Sequence, residues 1–191
     1  MLEKLYPDLY LDKVQDIDLD FLRKHNIKGL ILDIDNTLVP HGLEADDNAV
    51  AWMERVQAEG FKVCIVSNAS KKRVIKFNER LRVAAIHRAS KPGTRAFLKA
   101  LEIMGLMPGE AAVVGDQIFT DIYGGNRLNL LTILVKPIDK KEFFIVRLKR
   151  IFEKGILSKY HMESGEKREK RLFKKREILR KNNEGWGQYG N

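Results

Sequence analysis

Short apolar runs alternate along this chain with longer stretches in which apolar residues return every three or four positions, and that alternation sets the expected fold. Residues 28–34, 62–66, 83–87, 111–114 and 130–135 are mainly apolar runs of strand length. Between the first two, Ala49, Val50, Met53 and Val56 recur at helical spacing behind Asp46 or Asp47 as N-cap, with Gly60 as the stop. Ser70 caps the next helix, whose inner face carries Val74, Phe77 and Leu81. A third helix over 93–104 has Phe97, Leu98, Leu101 and Met104 as its stripe and Gly105 at its end; another helical turn starts near Thr120. Strands alternating with helices of this length predict βαβ units. The expected fold is therefore α/β, a three-layer Rossmann-like parallel sheet with helices on both faces.

Ahead of the first strand, residues 1–27 read as an irregular lead that packs on the core and ends in a short helix, with Asp18 as N-cap and Phe21 and Leu22 turned inward. Residues 28–135 form the core domain and 136–191 a basic helical extension. The 24 residues 38–61 already hold a helix, as does 68–91, so neither has room for an inserted domain of about 50 residues. No large cap domain is expected, and the site should be open unless a second subunit covers it.

Charge changes this picture at one end only. Residues 1–135 carry 18 Lys+Arg against 18 Asp+Glu, whereas 136–191 carry 17 against 8, so the formal +9 belongs to the extension. A neutral domain with a basic extension fits an anionic partner, lipid headgroups or nucleic acid, and equally a plain solvated helix. The longest apolar run, 49–53, is far below the roughly 20 residues of a spanning helix, and the N-terminus is broken by charges and Pro7. A cytoplasmic protein is expected, with peripheral contact to the inner membrane face left open. Cys64, the single cysteine, lies in the apolar pattern KVCIVSN and reads as a small buried hydrophobe. His25, His41, His87 and His161 show no metal-ligand spacing, and His41 is expected at the surface.

The candidate chemistry gathers at the carboxyl ends of the strands. LILDIDNTLVP, residues 30–40, runs a buried strand into Asp33 and Asp35. Residues i and i+2 of a strand point the same way, which puts these carboxylates roughly 6 to 7 Å apart. Two anions that close call for a cation or a shared proton. The carboxyl edge of a central strand in an open α/β sheet is also where ligands bind. Three further loops bring Ser67-Asn68, Lys91, and Asp116 with Thr120-Asp121 to the same edge. Each alone also fits plain structure, since Asp-x-Asp can cap a turn and Asp116-Gln117 can open a helix. Stability alone does not require all four in this order.

DIDNT, SNAS, KP and GDQIFTD, in that order, resemble the motifs of the haloacid dehalogenase superfamily of phosphotransferases over residues 28–135. The resemblance implies a Mg²⁺-dependent phosphomonoesterase in which Asp33 attacks phosphorus in line and becomes an aspartyl-phosphate. Asp35 would protonate the leaving oxygen and later take a proton from water. Mg²⁺ is assigned to Asp33, the Asp35 backbone carbonyl and Asp116, with Asp121 behind them or in an outer metal position. Ser67 and the Asn68 N–H would hold phosphoryl oxygens, with Thr37 on the substrate side; Thr37 and Thr120 would orient the loops. Lys91 would neutralise the phosphate and steady Asp33. Asn36 stands where many relatives have glycine, and asparagine tolerates unusual backbone angles better than most.

Within the superfamily the chain is similar to the capless, YqeG-like group of subfamily III, on the DIDNTL form of the first motif, SNAS and GDQIFTDIYGGNR. That group includes phosphatidylglycerophosphate phosphatases, so the implied substrate is a phospholipid phosphate such as phosphatidylglycerophosphate. An open site can meet a headgroup at a bilayer, whereas a small metabolite usually calls for a lid. Residues 142–157, EFFIVRLKRIFEKGIL, place Phe144, Leu148, Ile151 and Phe152 on one helical face, with Arg147, Lys149, Arg150 and Lys154 around the rest. Such a helix can lie in an anionic membrane surface or pack on the domain. Residues 163–183 read as a solvated helix or tail, and the final EGWGQYGN as unstructured. Two other readings stay open. One is a nucleotide or polynucleotide-end phosphatase, against which the lack of interleaved aromatics counts. The other is an RNA- or ribonucleoprotein-binding regulatory protein on a phosphatase fold, against which the intact Asp33, Asp35, Lys91 and Asp116 count. An oligomer is compatible with each.

Overall fold

The computed structural model describes residues 2–139, 144–163 and 165–186. Six strands form one sheet: β1 (Leu9–Leu11), β2 (Gly29–Leu32), β3 (Lys62–Val66), β4 (Ala84–Ile86), β5 (Ala111–Gly115) and β6 (Leu131–Val135). Their order is β1-β6-β5-β2-β3-β4, and every pairing is parallel. The helices are α1 (Leu19–Lys24), α2 (Asp47–Ala58), α3 (Lys71–Asn78), α4 (Arg95–Met104), α5 (Tyr123–Arg127), α6 (Phe144–Met162) and α7 (Gly165–Trp186).

Parallel neighbours need crossovers, and the crossover helices cover both faces of the sheet. Leu30 and Leu32 of β2 share a core with Trp52, Met53 and Val56 of α2 and with Val74 and Phe77 of α3. Ile31 turns the other way, into Phe97, Ala100, Leu101 and Met104 of α4. The chain winds outward from β2 through β3 to β4, then returns to β5 and winds the other way. The crevice beyond the carboxyl ends of β2 and β5 is thus the switch point of the sheet. Asp46 caps α2 by accepting the Ala49 N–H at 2.8 Å, and Ser70 caps α3 by accepting the Arg73 N–H at 3.3 Å.

The structure departs from the expected pattern in four places. Leu98 is 47% exposed, and small Ala96 and Ala100 take the inner positions of α4 instead. β2 stops at Leu32, so Asp33 and Asp35 stand on the turn that follows and not on the strand itself. The irregular lead contains a strand, β1, which is only three residues long and too short to show a period. Asp8 fixes it: its carboxylate accepts the Thr132 N–H at 2.8 Å and the Thr132 hydroxyl at 3.0 Å, and its own N–H donates to the Thr132 carbonyl at 2.9 Å.

The fourth departure is the extension. α6 buries Glu153, Ile156 and Tyr160, while Phe152, the one described side chain of the expected apolar stripe, is 63% exposed. The side chains of Phe144, Leu148 and Ile151 lie outside the described residues. The Ile118 N–H donates to the Glu153 carboxylate at 2.8 Å, which ties α6 to the loop after β5. α7 continues to Trp186, into the stretch expected to lack structure, and residues 187–191 lie outside those described. It is more than a solvated helix. Lys175 reaches Asp8 at 2.5 Å and Asn126 Oδ1 at 2.7 Å, and Arg171 donates to the Pro7 carbonyl and lies over the rings of Tyr6 and Tyr160. Burial lowers the Lys175 pKa, and Asp8 offsets part of that shift. Among the described residues no helix is long and apolar enough to cross a membrane.

Asp8 therefore couples β1, β6 and α7 through one buried ion pair. Removing one partner of such a pair leaves a charge without compensation and costs about 3 to 5 kcal/mol. Asp8→Ala should lower unfolding stability by about that amount in denaturant titration. Asp8→Ala combined with Lys175→Met should regain much of the loss. Equal destabilisation in the single and double variants would show that the ion pair is not what joins α7 to the sheet.

Candidate active site

The site is built on the turn after β2. The Asp33 N–H donates to the Val114 carbonyl at 3.0 Å, continuing the β2–β5 ladder one residue past the strand. The chain then doubles back, with the N–H groups of Thr37 and Leu38 both donating to the Ile34 carbonyl. Asn36 sits in the turn at φ +63°, the left-handed region that asparagine tolerates and most residues avoid.

Lys91 lies at the centre of the buried charges. Its ammonium is 2.6 Å from Asp33 Oδ1 and 2.6 Å from Asp121 Oδ1. Burial works against the Lys91 charge, but the carboxylates of Asp121 and Asp33 more than offset it and hold its pKa above the ordinary lysine value. Burial pushes the Asp33 carboxyl up to about 6 against the lowering pull of Lys91, and Asp121 adds to the rise. Asn68 places the lysine from behind: its Oδ1 accepts the Lys91 N–H at 2.8 Å and its Nδ2 donates to the Lys91 carbonyl at 3.2 Å.

Asp33, Asp116 and Asp121 are all buried, and each offers a carboxylate oxygen within 4.8 Å of the others. Asp121 Oδ2 accepts the Gln117 N–H and the Thr120 hydroxyl, both at 3.2 Å. This close approach requires Gly115 at the end of β5, since a Cβ there would stand 2.3 Å from Asp121 Cγ. Asp121 itself lies in a single π-helical turn, Ile118–Ile122, which turns the carboxylate back beneath the crevice. Three buried carboxylates this close together, two of them on Lys91, form a set of hard oxygen donors that suits a divalent cation.

Above the cluster opens a cleft of ≈ 250 Å³, lined by Asp33, Asp35, Asn36, His41, Ser67, Asn68, Ala69, Lys91, Gln117 and Thr120. The four expected loops thus meet at one place. Asp33, Asp35, Ser67, Asn68 and Lys91 face the cleft, and Asp116 and Asp121 are buried beside Asp33. Thr37 is not on the cleft wall; its hydroxyl stands 3.5 Å from Asp116 Oδ1. The Ser67 hydroxyl oxygen accepts the Ala69 N–H at 3.2 Å.

Asp35 has its own cation, which the sequence reading did not single out. Arg73 donates to Asp35 Oδ1 through Nη2 at 2.9 Å and Nε at 3.3 Å, and the Gly42 N–H donates to the same oxygen at 2.9 Å. Arg73 Nη2 also donates to the Leu43 carbonyl at 2.6 Å, so the acidic turn and α3 form one unit. A signal was present: Lys71, Lys72 and Arg73 fill the first turn of α3, where the helix dipole favours acids. His41 is exposed, as expected, and lines the mouth of the cleft 3.9 Å from Asp35.

Several known proteins are similar to this chain. A family model described as HAD-hydrolase-like matches residues 88–137. "Probable phosphatase YqeG" of Bacillus subtilis is 40% identical over 160 residues, covering 83% of this chain and 93% of the relative. "Phosphatidylglycerophosphate phosphatase 1, chloroplastic/mitochondrial" of Arabidopsis thaliana is 31% identical over 167 residues, covering 81% of this chain but only 47% of the plant protein. Among solved structures, a HAD-superfamily hydrolase from Ehrlichia chaffeensis superposes with a TM-score of 0.49 at 15% identity, over 69% of this chain and 98% of that one. Covering almost the whole of YqeG at that identity, with the four motifs gathered at one crevice, the chain belongs to the haloacid dehalogenase-like family of phosphatases.

Proposed function

We propose that this chain is a Mg²⁺-dependent phosphomonoesterase working through an aspartyl-phosphate on Asp33, with a phospholipid phosphate such as phosphatidylglycerophosphate as substrate. The observation that carries the reading is the buried cluster of Asp33, Asp116 and Asp121, with Lys91 on Asp33 and Asp121, at the floor of an open cleft. Asp33 and Asp116 are the residues that would hold Mg²⁺, with Asp121 beside them; bound there, it supplies the positive charge that lets an anionic nucleophile meet an anionic phosphate. The lipid part is supported by the plant relative's name and by the lack of any inserted cap over the cleft.

The chain's own groups divide the work. An Asp33 carboxylate oxygen forms the bond to phosphorus as the bond to the leaving oxygen breaks, and Asp35 gives that oxygen a proton. Water then attacks the aspartyl-phosphate, loses its proton to Asp35, and releases phosphate with Asp33 restored. Lys91 neutralises phosphoryl charge while holding Asp33 in place. Because the Ser67 oxygen already accepts the Ala69 N–H, its own proton is left for a phosphoryl oxygen. Arg73 and the Gly42 N–H fix Asp35 through Oδ1, leaving Oδ2 for the transferred proton.

Asp33→Asn should reduce Mg²⁺-dependent phosphate release to below about a thousandth while the circular dichroism spectrum stays that of the parent. Purified protein should release phosphate from phosphatidylglycerophosphate faster than from sugar phosphates or nucleotides. Efficient turnover of the soluble substrates with none of the lipid would remove the lipid assignment and leave the phosphatase.

Proton and cation compete at Asp33. Its folded pKa of about 6 lies above the ordinary 3.8, so in metal-free protein its contribution to stability is greatest below 3.8 and is lost as pH rises through about 6. Mg²⁺ affinity should therefore weaken as pH falls through about 6, with protons released on binding. Calorimetric titration in buffers of different ionisation enthalpy reads both effects. A Mg²⁺ affinity that stays flat through that range would mean Asp33 is not a ligand.

A further inference from the structure

Residues 1–135 are neutral as a whole, but their cations are concentrated. Residues 71–91 hold eight Lys or Arg against one acidic residue, Glu79. Four of the eight have carboxylate partners: Arg73 with Asp35, Lys76 with Glu44, Arg80 with Asp47, and Lys91 in the site. Among the described residues Lys71, Lys72, Arg82 and Arg88 have none, and all four are exposed. Lys71 and Lys72 also crowd the first turn of α3, where the helix dipole disfavours cations and an external anion would offset that penalty.

Lys71, Lys72, Lys76 and Arg88 line, with Ser70, Ile75 and the single acid Glu79, an open groove of ≈ 630 Å³. This groove shares a wall with the catalytic cleft. Ser70 follows Ala69, which lines the cleft, and the Arg88 N–H donates to the Ala69 carbonyl at 2.9 Å. In its middle Ile75 is 51% exposed, an aliphatic side chain among ammonium groups. No aromatic ring lines the groove, so it lacks the stacking platform of a single-strand nucleic-acid site. Cations around an exposed aliphatic group fit the boundary between headgroup and acyl chain in an anionic bilayer.

We propose that this face of α3 docks on an anionic lipid surface, with Lys71, Lys72 and Arg88 on headgroup phosphates and Ile75 at the acyl boundary. The inference rests on the lipid-phosphate reading above and adds where the bilayer lies: beside the cleft mouth, so that a phosphorylated headgroup enters without leaving the membrane. The expected membrane contact through 142–157 is a different surface, and α6 turns part of itself, Glu153, Ile156 and Tyr160, onto the domain.

The test compares the full chain with a Lys71→Gln/Lys72→Gln/Arg88→Gln variant, a Lys71→Arg/Lys72→Arg variant, and a Lys167→Gln/Lys174→Gln variant on exposed α7. Binding is read by flotation with vesicles of phosphatidylcholine, with and without about a third phosphatidylglycerol. The parent should float only with the anionic vesicles. The triple variant should lose roughly fivefold in affinity per cation removed, about a hundredfold in all, while the arginine variant and the α7 variant keep theirs. Turnover of a short-chain, water-soluble phosphatidylglycerophosphate analogue should be the same in all four proteins. Unchanged flotation of the triple variant overturns the proposal, as does a loss confined to the α7 variant, or retention by single-stranded RNA with none by vesicles. Failure of the parent to cleave the soluble analogue would instead count against the lipid-phosphate reading, whatever the vesicles show.

Discussion

A single buried ammonium group organises the site. Lys91 holds Asp33 and Asp121 at 2.6 Å each, and its charge offsets part of the cost of burying both carboxylates. Everything around it serves that placement. Asn68 grips the lysine's backbone from the loop after β3, Gly115 leaves room for the Asp121 carboxylate, and the π-helical turn brings that carboxylate back under β2. Four segments distant in sequence are thus fixed around one buried ammonium, with Asp116 a further carboxylate in the same cluster.

The sheet and its carboxyl edge were legible because their signals are local. β3 falls on the residues its apolar run marks, Asp46 and Ser70 cap the helices they precede, and Gly105 ends α4 at φ +61°. The motif residues were legible for the same reason, since Asp33, Ser67 and Asp116 each follow directly on a strand end and the others stand in the loops that continue from β2, β4 and β5 or beside Ser67. What escaped was set by long-range contacts. β1 has three residues and no period, and only the pairing of Asp8 with Thr132, 124 positions away, makes it a strand. Arg73 lies 38 positions from Asp35, and spacing along the chain carries no trace of such a contact.

The extension joins the core domain through a polar contact. α6 turns Glu153 inward, where its carboxylate accepts the Ile118 N–H at the start of the turn that carries Asp121. Phe152, beside it in sequence, is exposed. A contact from outside the core domain thus braces the loop that completes the carboxylate cluster. The geometry of the cluster and the packing of α6 are therefore linked through this hydrogen bond, even though no described side chain of α6 lies on the cleft wall.

Asp33 and Asp35 are two residues apart and chemically alike, yet a displacement at phosphorus needs them to behave differently. The structure separates them by giving each its own cation and its own depth. Asp33 lies within the carboxylate cluster, held by Lys91 and raised by burial, where a second cation finds a place. Asp35 stands at the rim, fixed by Arg73 and the Gly42 N–H through one oxygen, on a turn that α3 and the Leu43 carbonyl hold in register. Ending β2 at Leu32 puts Asp35 on a turn, where it meets Arg73 while Asp33 meets Lys91, although both carboxylates line the same cleft. The early turn, with Asn36 in its left-handed conformation, thus gives two like carboxylates different partners.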